Sequence, residues 1–226
     1  MSKSSVGVVR ELKALVKARS VLNHPFYQAW QKGEVPMDVL QEYAGQYYPH
    51  VLAFPTYLSA VHANCPDLAI RQQILENLVE EERGDKNHPE LWLRFAEGLG
   101  MTRKEVLAKR PLKSTKNLID TFQKETREGS FPAGMAAMFA YEWQIPGVSQ
   151  TKMDGLRQFY GVRDARSLEF FRAHIGLDEI HSEVAARIIA KNTKTPAARR
   201  EVAGACTAVA DAYWGFLDGV MDAYMQ

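Results

Sequence analysis

Along almost the whole chain, apolar residues return at intervals of three and four, the spacing at which side chains share one face of an α-helix. Between 6 and 22 they fall at Val9, Leu12, Leu15, Val16 and Leu22, and "NHP" stops the run. The segment "VPMDVLQEYAGQYYPHVLAFPTYLSAVHANCPD" predicts a helix from 37 to about 64, kinked or divided at Pro49 and Pro55. "PDLAIRQQILENLVEEERG" starts a helix at a proline and closes it at Gly84. "HPELWLRFAEGLG" is a shorter helix with a glycine stop, and "TRKEVLAKRP" is a capped one broken by Pro111. Further helices are expected at about 114–128, 132–144, 164–192 and from 196 to the end. The stretch "IPGVSQTKMDG" (145–155) reads as a loop. No segment alternates with a sustained period of two, so no sheet is expected. The pattern predicts one all-α domain over 1–226, a compact helical bundle.

Composition narrows the class. At 226 residues and 46% hydrophobic, the chain can bury a substantial core. Its 28 basic and 27 acidic residues leave a net charge of +1, which supplies no field for nucleic acid or an anionic membrane. No uncharged apolar stretch approaches the roughly 20 residues a membrane span needs. The basic start is followed by no long apolar segment, which argues against a signal peptide. Cys65 and Cys206 lie far apart and match no zinc or redox spacing. A soluble, cytoplasmic protein is expected.

The chemistry begins with "FFRAHIGLDEIHSEVAARII" (170–189). At 100° per residue, His174, Asp178 and His181 point the same way, and Phe170, Phe171, Ile175, Leu177, Val184, Ile188 and Ile189 surround that line. Taken alone, His174 and Asp178 could be an ordinary i,i+4 pair on a solvated face. Glu81 and His88 stand seven residues apart at what looks like an exposed helix end. Leu78, three residues before Glu81, can nevertheless bring that carboxylate to a buried edge. Glu142 is the sole charged residue between Glu128 and Lys152, in a segment of Met, Ala, Phe, Tyr and Trp. An isolated buried carboxylate is costly unless it is protonated, paired or bound to a metal. Together, three carboxylates and three imidazoles from three helical regions suit a dinuclear iron or manganese centre in a bundle. A closed zinc site fits less well, because it takes four ligands and no thiolate is at hand. The two Glu-x-x-His pairs of ferritin-like proteins are absent.

These residues resemble the heme-oxygenase-like di-metal oxidases. More narrowly, "HPFYQAW", "EYAGQYYPHVLAFPTYLSAVHANC", "EERGDKNHPELW", "FAYEWQIP" and "FFRAHIGLDEIHSEVA" resemble the CADD-like branch, the chlamydial protein associating with death domains and its bacterial relatives. The resemblance runs from about residue 10 to the end. It implies a helical fold of the heme oxygenase, TenA and PqqC type without heme, often as a homodimer. It also implies two metal ions, iron or manganese, with molecular oxygen and an external reductant as co-substrates. The implied activity is synthesis of para-aminobenzoate for folate, with the ring taken from the protein's own tyrosine and the amine from a lysine. Tyr27 and Lys152 occupy the matching places, and Tyr43 and Tyr141 are the other tyrosines beside these motifs. Read on its own, Tyr27 is more readily a wall aromatic with a partnered hydroxyl, and Lys152 a solvated loop lysine that would need burial or a nearby cation to become nucleophilic.

Two alternatives remain open at this point, a free-substrate oxidase and an interaction module, and the residues argue against a third. The same metals could oxidise a free small molecule. TenA-type thiaminases share the fold but use a cysteine where this chain reads "MAAMFAYEWQ". A protein-interaction module would not need six candidate ligands, and no charge-segregated face marks an interface.

Overall fold

The computed structural model describes residues 3–226, with side chains described from Gly7 onward; residues 1–2 of the expected domain lie outside them. Eleven α-helices follow one another, with no strand among the described residues. Helix α1 (Lys3–Ala18) leads through a single 3-10 turn, Val21–Asn23, into α2 (Pro25–Lys32) and the long α3 (Met37–Asn64). Then come α4 (Leu68–Glu82), α5 (His88–Gly98), α6 (Arg103–Ala108), α7 (Lys113–Arg127) and α8 (Phe131–Glu142). The chain ends with α9 (Ile145–Phe159), α10 (Glu169–Asn192) and α11 (Pro196–Tyr224). No helix among the described residues is long and apolar enough to cross a membrane.

The bundle is organised around α8, in which every residue from Pro132 to Glu142 is buried. A helix that is apolar on all sides has no solvent face to present, and α8 is packed against α3, α7, α10 and α11. Its only ionisable groups, Tyr141 and Glu142, therefore stand in the interior. Helix α3 runs unbroken through Pro49 and Pro55. Each proline removes one helical hydrogen bond, and the packing of α4, α5, α7 and α8 along α3 holds the helix together.

Three local departures from expectation set up the site. First, "NHP" starts a helix as well as ending one. His24 Nδ1 accepts from the Phe26 N–H at 3.1 Å, which caps α2 and leaves the ring proton on Nε2. That proton is donated to Asp218 Oδ1 of α11 at 2.9 Å. Second, 145–155 is helical and not a loop. Pro146 fits the first turn of α9, and Gly155 is there because Trp30 of α2 lies against it. A Cβ on Gly155 would come within 2.5 Å of Trp30 Cδ1. The Trp30 indole N–H also donates to the Lys152 carbonyl at 3.3 Å. Gly155, one of the glycines that lowered the helical signal, is the one the close helix contact requires. Third, α10 begins at Glu169, not 164, because Asp164 Oδ1 accepts from the Ser167 N–H at 2.9 Å and holds the preceding residues in a turn.

Candidate metal centre and aromatic chamber

Helix α10 presents His174, Asp178 and His181 to the interior, where all three are buried. Glu81, in the last turn of α4, and His88, the first residue of α5, come in from one side. Glu142, the last residue of α8, comes from the other. The six sort into two triads, Glu81–His88–His174 and Glu142–Asp178–His181, in each of which one ligand atom per residue lies within 4.8 Å of the others. Asp178 also lines one cavity with Glu81, His88 and His174, so the triads adjoin there. Every residue of the sequence-predicted cluster is thus brought into it.

Whether these groups fit a metal pair can be judged from their unmet valences. Asp178 Oδ2 and His181 Nδ1 are buried without a hydrogen-bond partner, and the His181 Nδ1 to Asp178 Oδ1 separation, 3.6 Å, is too long for one. Buried polar atoms left unmatched cost free energy that a cation would recover. His174 Nδ1 donates to the Phe170 carbonyl at 2.7 Å, which leaves Nε2 bare, as a metal-binding imidazole requires. The other contacts brace the cluster from outside or tie its members together. Asn77 donates to Glu142 Oε1 at 2.9 Å, and His181 Nε2 meets Glu80 Oε2 at 2.7 Å. His88 Nδ1 lies 2.5 Å from Glu81 Oε2. Burial raises the pKa of Glu142 and of Asp178, and the neighbouring carboxylates add to it. Burial opposes protonation of His181, yet Asp178, Glu142 and Glu80 together raise its pKa to about 9. Burial and the nearby His88 push His174 well below its ordinary range. Acidic groups that resist ionisation beside basic ones that resist deprotonation are what two divalent ions would resolve, and the oxygen–nitrogen donor set suits iron or manganese. The residues fit the group.

A second buried region adjoins the first. Lys152, expected on a loop surface, is only 2% exposed on α9. Its Nζ lies 5.6, 5.3, 5.1, 5.4 and 5.4 Å from the ring centroids of Tyr27, Tyr43, Tyr47, Trp92 and Phe171. Desolvation in this box pulls the lysine pKa down to about 7, so a large fraction of it is neutral amine at physiological pH. Tyr27 shares hydrogen bonds with Tyr43 at 3.0 Å and Tyr213 at 3.4 Å, and Tyr47 with Tyr141. Burial raises the pKa of Tyr27, Tyr43, Tyr47 and Tyr141, which stay phenols.

Of the four sequence-predicted reacting residues, Tyr141 lines the cavity at the metal cluster. Tyr27, Tyr43 and Lys152 are linked to the cluster through a chain of rings. Tyr47 and Trp92 are 4.8 Å apart, Trp92 and Phe170 also 4.8 Å, and Phe170 and His174 4.1 Å. Sequence reasoning missed Tyr47, His50 and Tyr213. Tyr47 is one helical turn after Tyr43 and could have been found by that spacing; His50 and Tyr213 carry no local signal.

The family described as iron-containing redox enzyme matches residues 41–214. A 4-aminobenzoate synthase of Nitrosomonas europaea is 42% identical over 224 residues, covering 95% of this chain and 91% of that protein. One from Chlamydia trachomatis is 36% identical over 212 residues, 94% and 91% of the two chains. Among solved structures, a CADD-like protein of unknown function from Nostoc punctiforme superposes with a TM-score of 0.82 over 100% of both chains at 16% identity, a likeness of fold.

Proposed function

The chain belongs to the iron-containing redox enzyme family, and from that premise we propose that it is an oxygen-dependent di-metal oxidase that makes 4-aminobenzoate from its own Tyr27, with Lys152 as the amino donor. The six clustered residues would hold two ions, iron or manganese, and these would supply the capacity to reduce oxygen with electrons from an external reductant. Turning a tyrosine side chain into aminobenzoate requires breaking Cα–Cβ, oxidising Cβ to a carboxylate and exchanging the hydroxyl for an amine.

The observation that carries the reading is the setting of Lys152. A neutral primary amine is the nucleophilic form, and burial among five rings favours it beside the Tyr27 ring. The chain's own contribution is to orient and to exclude water. The hydrogen bonds shared with Tyr43 and Tyr213 fix the Tyr27 phenol, and α2, locked by the His24 cap and the Trp30–Gly155 contact, holds its backbone. The proposal includes a cytoplasmic homodimer, for which light scattering in solution is the test.

A second reading, oxidation of a free small molecule, draws on one feature. A cleft lined by Ile74, Asn77, Met135, Met138, Glu142 and His181 reaches the second triad. One experiment separates the two. Peptides containing Tyr27, Tyr43, Tyr141 and Lys152 are weighed before and after iron or manganese, reductant and oxygen are added, with 4-aminobenzoate assayed alongside. Loss of the Tyr27 side-chain mass matched by product is the expected result. Unmodified tyrosines with metal-dependent oxygen uptake would overturn the self-consuming route and favour the free substrate.

A further inference from the structure

His50, on α3, is fully buried and neither of its ring nitrogens has a hydrogen-bond partner. Five rings enclose it, those of Tyr47, Phe54, Tyr57, Phe122 and Tyr141, at centroid distances between 5.1 and 5.9 Å. A phenylalanine would suit such surroundings at least as well. A neutral imidazole carries one N–H donor and one lone-pair acceptor, and leaving both unmatched in the interior is costly. Burial, with Lys152 nearby, keeps the ring neutral.

The enclosure is incomplete on one side. There His50 lines a small cavity whose other walls include Glu81, His88, His174 and Asp178, with Tyr141 beside them. The cavity is small, with room for a molecule of a few atoms.

We propose that this cavity is a binding site for a single small ligand of dioxygen size, held between the first metal triad and a hydrogen bond from His50. The identity of the ligand as dioxygen rests on the oxidase reading above; the placement of the site rests on the unpartnered imidazole and the cavity. His50 acts through the ligand it holds and not as a ligand of the ions.

The test uses His50→Phe, with His50→Leu as the second variant should the first not fold. Azide, a small anion that accepts hydrogen bonds, serves as the probe and is titrated into iron-loaded, oxidised protein while the charge-transfer absorbance is followed. Iron content is measured independently by elemental analysis. The expected result is unchanged iron content, azide affinity at least about tenfold weaker than wild type, and an unfolding temperature of the purified protein equal to or above that of wild type, since an unpartnered polar group has been removed. With both irons bound, azide affinity within twofold of wild type overturns the assignment of His50. So does a fall in unfolding temperature of more than about 5 °C, which marks the imidazole as a structural group. Failure of the wild-type protein to take up either iron or manganese would overturn the oxidase reading, and elemental analysis reports that separately.

Discussion

The cluster at α4, α5, α8 and α10 and the chamber between α2, α3, α9 and α11 are both withdrawn from solvent, and they treat their polar groups in opposite ways. In the cluster, Asp178 Oδ2 and His181 Nδ1 have no partner at all, and carboxylates crowd together against their own repulsion. In the chamber, the phenols of Tyr27, Tyr43 and Tyr213 satisfy one another, and the one amine, Lys152, is enclosed by rings that desolvate it toward its neutral form. A polar group left unmatched in the interior points to a partner from outside the chain. A matched one points to positioning. The contrast matches the proposed function, which needs ion binding in the first region and the holding of a reacting side chain in the second.

The largest effects should come from breaking the cluster. His174→Ala or Glu142→Ala is expected to cut 4-aminobenzoate formation by more than about 100-fold and to lower metal content, while circular dichroism stays helical. Full metal content with full activity in either variant would remove that residue from the site. Tyr27→Phe attacks the chamber instead, keeping the ring and removing the phenol. It should retain metal content and lose product, and a loss of metal would show that the two regions are not separable.

The pH dependence of stability sharpens the comparison, because in the metal-free protein the two regions act with opposite signs. The folded-state pKa values of Asp178, Glu142 and His181 are raised. Their contribution is fully present below the unfolded values, from about pH 4 for the carboxylates to about 6.5 for the imidazole, and is lost as pH rises through the folded ones. Lys152 is depressed to about 7 from its ordinary 10.5. The unfolded chain then binds more protons between those values, and stability rises with pH across that window. Lys152→Met should therefore raise the unfolding temperature at pH 7 and flatten its climb toward pH 10. An unchanged profile would mean that Lys152 is not desolvated in solution. Metal loading should remove the fall assigned to the cluster and leave the rise assigned to the lysine.

Smaller effects test the scaffold. Gly155→Ala forces the Trp30 ring away from α9 and should cost about 1–3 kcal/mol in denaturant unfolding. It should also lower product yield by shifting α2, whereas an unaltered yield would mean that Tyr27 does not depend on that contact. Thr102→Ala removes the capping box at the start of α6, a helix that carries no residue of either region, and should cost about 1 kcal/mol with no change in product.

The sequence by itself determined the helical architecture and the composition of the cluster. Period and punctuation locate helices wherever one face is apolar and the ends are capped, and charged residues in apolar surroundings are conspicuous because burying them is costly. That is why Glu142, in the buried run of α8, and the His174–Asp178–His181 line could be read before any fold was known. The tertiary structure alone decided the setting of Lys152. Its neighbours in the chain, "SQTKMDG", are mostly polar and include a glycine, and what desolvates the amine is contributed by rings from α2, α3, α5 and α10. The same holds for His50 and Tyr213. Desolvation and the matching of donors to acceptors are properties of a residue's neighbours in space, and for these three the decisive neighbours include residues far away along the chain.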